Sequence, residues 1–342
     1  MHRIAVLGAG SWGTALAVHL GRVGHEVCLW ARDPSLAADI AHRRANAVYL
    51  PDTSLPETVA VTDSIAHALD DTLLVVSAIP SHGCRAVMRL AAPYVLRQAT
   101  IVSATKGLEA DTLLRMSEVI VNELGVEHAV VVLSGPSFAI EVAQQLPTAI
   151  LAASSDPRAI ELVQAEFRSP ALRLYGSSDV IGVELGGALK NVIAIAAGVV
   201  EGLGLGQNAL AALITRGLAE ISRLAGAAGG RRETPSGLSG LGDLVLTCTG
   251  SLSRNRHVGI ELARGRPLAA ILSSMKMIAE GVKTTNAALA LGARYGVELP
   301  IATQMAAVLD GRSDVRTAVE ILMLRPQRSE AESQPHTRHG PV

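Results

Sequence analysis

The pattern of apolar and polar positions changes character near residue 180. Before that point short apolar runs, at 3–7, 26–31, 59–62, 72–79, 99–105, 129–133, 148–154 and 173–176, alternate with longer helix-period stretches. Runs of that length and composition read as strands, and their alternation with helices predicts an α/β unit with a mostly parallel, doubly wound sheet. Ligands of such sheets lie beyond the carboxyl ends of the strands. After Gly176 no strand-like run occurs, and helical spacing at 180–200, 208–228, 254–264, 267–274, 283–296 and 301–309 predicts an all-helical second unit. The expected division is residues 1–179, residues 180–325 and a disordered tail, 326–342, which is polar and rich in proline, serine and glutamate.

The run at 180–200 is apolar on nearly every side: Val183, Leu185, Leu189, Val192, Ile193, Ala196, Val199 and Val200 recur through it. This is the signature of a helix packed between other elements, and Lys190 lies in its middle. A helical side chain leans over the turn before it, here Gly186 and Gly187. Glycine costs a helix interior about 1 kcal/mol relative to alanine. Two readings stay open. Either the bare turn leaves room for a ligand beside a desolvated amine suited to proton transfer, or the glycines serve close helix contact and the lysine reaches solvent.

The first strand ends in Gly8-Ala9-Gly10-Ser11-Trp12-Gly13 and a helical pattern. Strand, glycine turn and helix in that order bind a dinucleotide: Gly8 permits the turn, Gly10 lets backbone approach a pyrophosphate, and Gly13 lets helix meet strand. After the second strand come Arg32 and Asp33. An acid there bonds the ribose 2′-hydroxyl of NAD, whereas an arginine accommodates the 2′-phosphate of NADP. Asp33 precedes Pro34 and can instead cap a helix, so the reading leans to NADP(H), with NAD(H) tolerated.

Three later strand ends carry chemistry: 77–80, 104–107 and 134–139. Lys106, where strand gives way to glycine, can aim its ammonium into the cleft; a solvated surface lysine is the alternative. In 237–255, Gly240, Gly242 and Gly250 suggest a flexible backbone around Asp243 and Thr247, and Ser253-Arg254-Asn255 opens a helix with the groups that a phosphate monoester needs. Glu280 either holds a ribose or nicotinamide amide or caps a turn.

Composition narrows the partners. A net charge of -1 and 2% aromatic residues argue against a nucleic-acid surface. With 49% hydrophobic and 18% charged residues the chain reads as soluble and globular, with no apolar run expected to span a bilayer and no signal peptide before the first strand. Three scattered cysteines fit reduced thiols in a cytoplasm.

Taken together, GAGSWGTALA at 8–17, SATKGLE at 103–109, SGPSFA at 134–139, ALKNVIAIAAG at 188–198, NALAALITRGLAE at 208–220, GLGDLVLTC at 240–248, SRNR at 253–256 and AEG at 279–281 resemble the bacterial NAD(P)-dependent glycerol-3-phosphate dehydrogenases. The resemblance runs from Ile4 to about Leu324. It implies a Rossmann-like first domain and a helical substrate domain. Ser11, Trp12, Arg32, Lys106, Ala139, Arg254, Ile278 and Glu280 match cofactor positions, while Lys106, Gly135, Ser137, Lys190, Asp243, Ser253, Arg254 and Asn255 match substrate positions. Asn191 and Thr247 also sit at pocket positions. Lys190 matches the proton donor and acceptor, supported by Lys106 and Asp243. The implied reaction is reversible reduction of dihydroxyacetone phosphate to sn-glycerol 3-phosphate, without a metal, for glycerophospholipid synthesis. A homodimer is expected. The β-hydroxyacid dehydrogenases also use a helix lysine, but with asparagine four residues on, where this chain has Ala194. A non-catalytic NADPH sensor would need neither lysine.

Overall fold

The computed structural model describes residues 2–275, 279–327 and 329–330. Its strands are β1 (Arg3–Leu7), β2 (Glu26–Trp30), β3 (Ala45–Asn46), β4 (Leu50–Ser54), β5 (Val59–Thr62), β6 (Leu74–Ser77), β7 (Thr100–Ser103), β8 (Val130–Ser134), β9 (Thr148–Ala153) and β10 (Leu172–Ser177). Around them in the first half run α1 (Ser11–Val23), α2 (Pro34–Arg43), α3 (Ile65–Leu69), α4 (Ser81–Ala91), α5 (Met116–Leu124), α6 (Ala139–Ala143) and α7 (Pro157–Phe167). The second half is helical: α8 (Val180–Gly202), α9 (Gly206–Ala227), α10 (Asp243–Thr249), α11 (Arg254–Ala263), α12 (Leu268–Ser274), α13 (Glu280–Tyr295), α14 (Pro300–Leu309) and α15 (Val315–Met323).

Eight strands form one sheet in the order β10-β9-β8-β7-β6-β1-β2-β5, parallel except where β9 runs against β8. Strands β6 and β7 are buried throughout, as strands covered by helices on both faces must be. The order reverses at β1, which pairs with β2 on one side and β6 on the other. A crevice therefore opens at their carboxyl ends, where the following helices leave in opposite directions.

Helix α8 is the axis of the second half. Its residues from Gly182 to Val200 are buried. By length and composition it could cross a bilayer, contrary to the expectation from sequence, yet 89% of its most apolar window is buried inside the protein. It is a core helix. Its closest neighbour is α11: a Cβ on Gly198 would stand 2.0 Å from the Arg256 carbonyl oxygen, and one on Gly259 would stand 1.9 Å from that of Ile195. Backbone meets backbone there, which only glycine permits. At its other end, Val183 packs with Val132 and Ala153 of the sheet, so one helix joins the two halves.

The sequence pattern missed several elements. The β3–β4 hairpin is too short and polar to signal itself, and α5, α6 and α15 were not distinguished. The segment expected to be flexible around Asp243 is a π-helical turn, Leu238–Gly242, running into α10. Helix α9 starts at Gly206, ahead of the expected 208, and α13 begins at Glu280. Of the expected tail, 328 and 331–342 lie outside the described residues.

Candidate active site

A cavity of about 500 Å³ opens at the β1/β6 switch and runs to the middle of α8. One end is made by the glycine turn. Gly8 has φ +113°, and a Cβ there would lie 2.7 Å from the Ala78 carbonyl oxygen; on Gly13 it would lie 1.9 Å from that of Gly8. Both glycines are required by the turn and by helix–strand contact. Gly10 differs, because a Cβ there would meet no protein atom within 4 Å. The room beside it belongs to the cavity. Helix α1 starts with no side-chain cap and no acid in its first turn, so the positive end of its dipole favours an anion there. These features fit a dinucleotide pyrophosphate.

Beside this turn, Trp12, Arg32 and His82 line the wall. Asp33 is spent on capping α2, accepting from the Ser35 and Leu36 amides at 2.9 and 3.4 Å. Arg32 is exposed at the rim. Its charge and that of Lys283, after the larger effect of burial, lower the His82 pKa, so this end of the cavity is cationic.

At the far end, two lysines share one carboxylate. Lys106 Nζ donates to Asp243 Oδ2 at 2.6 Å and to the Gly135 carbonyl at 3.1 Å. Lys190 Nζ donates to Asp243 Oδ1 at 2.5 Å and to Thr247 Oγ1 at 2.7 Å. Thr247 in turn donates to the Asp243 carbonyl at 2.6 Å. Asp243 and Thr247 stand one turn apart on α10, which is why the pair faces the same amine. Each ammonium has three donors, and the described contacts use two on each. Two positive charges against one negative leave an excess facing the cavity. Burial pushes Lys190 down to about 8, with Lys106 adding to the fall and Asp243 opposing it. Burial pushes the Asp243 carboxyl up, but the two ammonium groups outweigh it and hold it below the usual carboxylate range.

Ser253, Arg254 and Asn255 open α11 against the cavity. Ser253 caps the helix, accepting from the Arg256 amide at 3.2 Å. Asn255 donates to Asn191 Oδ1 at 3.0 Å and accepts from the Gly281 amide at 3.0 Å; its side chain ties α8, α11 and α13 together. Glu280, in the first turn of α13, completes the wall. Burial raises its pKa, while Arg254 and the Ser81 amide oppose the rise.

Of the residues singled out from sequence, Gly8, Gly10, Ser11, Trp12, Arg32, Lys106, Ser137, Ala139, Lys190, Asn191, Asp243, Thr247, Ser253, Arg254, Asn255 and Glu280 all line this one cavity. Gly13 lies behind the turn. Gly135 contributes its carbonyl, which also accepts from Ser137 Oγ at 3.0 Å. Ile278 lies outside the described residues. One reading is corrected: Gly186 and Gly187 do not line the cavity. A Cβ on Gly186 would lie 3.0 Å from the Ser239 carbonyl oxygen, and on Gly187 2.7 Å from Ser134 Oγ. They admit other protein elements, not a ligand. Sequence reasoning missed Tyr49, which also lines the wall, and Asn46, whose amide donates to the Ala9 carbonyl at 2.9 Å. No spacing signal marks them.

Two family models match the chain, the NAD-dependent glycerol-3-phosphate dehydrogenase N-terminus over residues 3–160 and C-terminus over residues 179–320. A glycerol-3-phosphate dehydrogenase (NAD(P)+) of Koribacter versatilis is 54% identical over 334 residues, covering 96% of this chain and 99% of its own. A crystal structure of glycerol-3-phosphate dehydrogenase from Coxiella burnetii superposes with a TM-score of 0.91 at 39% identity, covering 95% of this chain and 99% of that one. The yeast enzyme GPD1 superposes with a TM-score of 0.81 at 25% identity, over 94% of this chain and 99% of its own. A glycine-turn cavity leading to a shared-carboxylate lysine pair, and matches that run through both halves, together place the chain in the NAD-dependent glycerol-3-phosphate dehydrogenase family.

Proposed function

We propose that the protein catalyses reversible NAD(P)H-dependent reduction of dihydroxyacetone phosphate to sn-glycerol 3-phosphate, with Lys190 giving and taking the proton. The carrying observation is Asp243 holding Lys106 and Lys190 together at the end of the cavity that begins at the glycine turn. Bound NAD(P)H supplies the hydride that adds to the substrate carbonyl carbon. The chain does the rest. Gly8, Gly10, Ser11 and Trp12 and the α1 amides cradle the dinucleotide, with Arg32 toward its 2′-phosphate. Ala139, Arg254 and Glu280 border it further along.

Lys106 and Lys190 each direct a remaining N–H at the carbonyl oxygen, and their excess charge stabilises the alkoxide as it forms. Lys190 then transfers its proton to that oxygen. Asp243 and Thr247 aim the amine, and the Gly135 carbonyl, which also accepts from Ser137, fixes Lys106. Arg254 holds the phosphate at the start of α11, beside Ser253 and Asn255, which orients the carbonyl for attack. Supporting the expected division at 179/180, the last strand ends at Ser177 and α8 begins at Val180. A homodimer through the helical half and a cytoplasmic setting complete the reading, with Cys28, Cys84 and Cys248 as buried free thiols; sedimentation at several concentrations tests the dimer.

The direct test follows NADPH absorbance after addition of dihydroxyacetone phosphate. Turnover is expected, falling as pH rises through about 8 because reduction needs protonated Lys190. Cofactor binding without oxidation would replace this reading with that of a sensor.

A further inference from the structure

On α8, Glu184, Gly187 and Lys190 follow one another along one side of the helix at three-residue steps. Glu184 is buried, at 7% exposure, and takes no part in the chemistry above. Its Oε1 accepts from the Ser117 amide at 2.8 Å, and its Oε2 accepts from Ser117 Oγ and Arg115 Nη1, both at 2.6 Å. Arg115 closes the loop that Lys106 opens: it pairs with Leu108 in an antiparallel bridge, and the Glu109 amide donates to the Leu114 carbonyl at 2.9 Å. A cleft of about 10 Å³, too small for a ligand, is lined by Glu184, Gly187, Ser134 and Lys106 together. At Gly187 a Cβ would stand 3.9 Å from Lys106 Cγ, so the lysine stem crosses the helix where its side is bare.

We infer that Glu184 and Arg115 are positioning residues that clamp the 106–115 loop to α8 and so fix Lys106 against Asp243 and Lys190. This rests on the proposed reaction. Glu184 is the buried member, at 4% side-chain exposure, and is costly to leave without its guanidinium, while Arg115 is also held by Glu118 Oε1 at 2.8 Å. A small misplacement at a reacting centre is felt strongly. The groups facing Lys190 are Asp243, Thr247 and Cys248 of α10, Lys106 from the end of β7, and Glu280 of α13. Loosening the clamp draws Lys106 from Asp243. The carboxylate is then left to Lys190 and a neighbouring positive charge is removed, so both changes favour protonated Lys190.

The experiment compares wild type with Glu184→Gln and with Arg115→Lys, which keeps the charge but not the planar fork, using circular dichroism to confirm folding. Expected in both is a fall in kcat/KM for dihydroxyacetone phosphate on the order of 10²-fold, with the alkaline limb of the rate profile moved to higher pH. A fall with the limb in place would mark a merely structural role and overturn the inference. In parallel, Lys190 acylation by acetic anhydride, read by mass spectrometry against pH, locates its titration without turnover. An unmoved midpoint in both variants overturns the clamp, whereas absent turnover in wild type overturns the functional reading alone.

Discussion

Asp243 makes the two lysines compatible at the scale of single residues. At 2% side-chain exposure, it gives one oxygen to each, and without it two ammonium groups would share a desolvated space. On the proposed reading Lys190 carries the proton, since it emerges from the core helix and donates to Thr247, which fixes its direction. Lys190→Ala is therefore expected to lower turnover by about 10²- to 10⁴-fold, the usual range for a general acid, with NADPH affinity unchanged. Fluorescence titration beside steady-state rates checks both halves of that statement. Both lysines were legible in the sequence, one from a strand end and one from an apolar helix. Their common partner was legible only as a candidate, because Asp243 is 53 residues from Lys190 and 137 from Lys106, and no local spacing links them.

Elements are held by contacts as specific as those of the site. Helices α8 and α11 cross with Gly198 and Gly259 in register, and Gly198→Ala must push the Arg256 carbonyl away or bend a helix. A loss of about 1–3 kcal/mol is expected, measured by urea unfolding, and α11 carries Arg254 with it. Helix α14 begins on a different device. Glu220 of α9 accepts from the Ile301 amide at 2.7 Å and from the Ala302 amide at 3.4 Å, yet burial outweighs these bonds and pushes its pKa up to about 7. A carboxyl raised in the folded state favours folding below its unfolded value, near 4.5, and that contribution is lost as pH rises toward 7. Unfolding free energies at pH 5 and pH 8 should differ less in Glu220→Gln than in wild type. The helical period disclosed α8, α11 and α14 but not α10, because the glycines before Asp243 signal a loop. In the fold they permit a π turn instead, with the Gly240 Cα close under the Pro235 carbonyl, where a Cβ would stand 1.9 Å from its oxygen.

For the whole molecule, the cavity joins a cationic rim to a cationic end. Arg32 stands at the rim while Asp33 is turned to capping α2, so on the proposed reading a 2′-phosphate would meet an arginine there. Arg32→Ala should raise the KM for NADPH on the order of tenfold, the value of one charged hydrogen bond, and leave that for NADH nearly unchanged. Steady-state assays with the two cofactors decide it.

Alternating short apolar runs, a glycine turn after the first of them and an apolar helix carrying a lysine determined, by themselves, the sheet, the dinucleotide end and the helical half. Period and turn chemistry are local properties, and sequence records them directly. Tertiary structure alone decided which charges meet and which glycines face protein rather than ligand. Gly186 and Gly187 pack against a turn and a strand end, Asn255 bonds across three helices, and the membrane-length helix lies inside the core. Those outcomes depend on the neighbours that folding supplies from distant parts of the chain, and burial and pairing at such contacts set the energies.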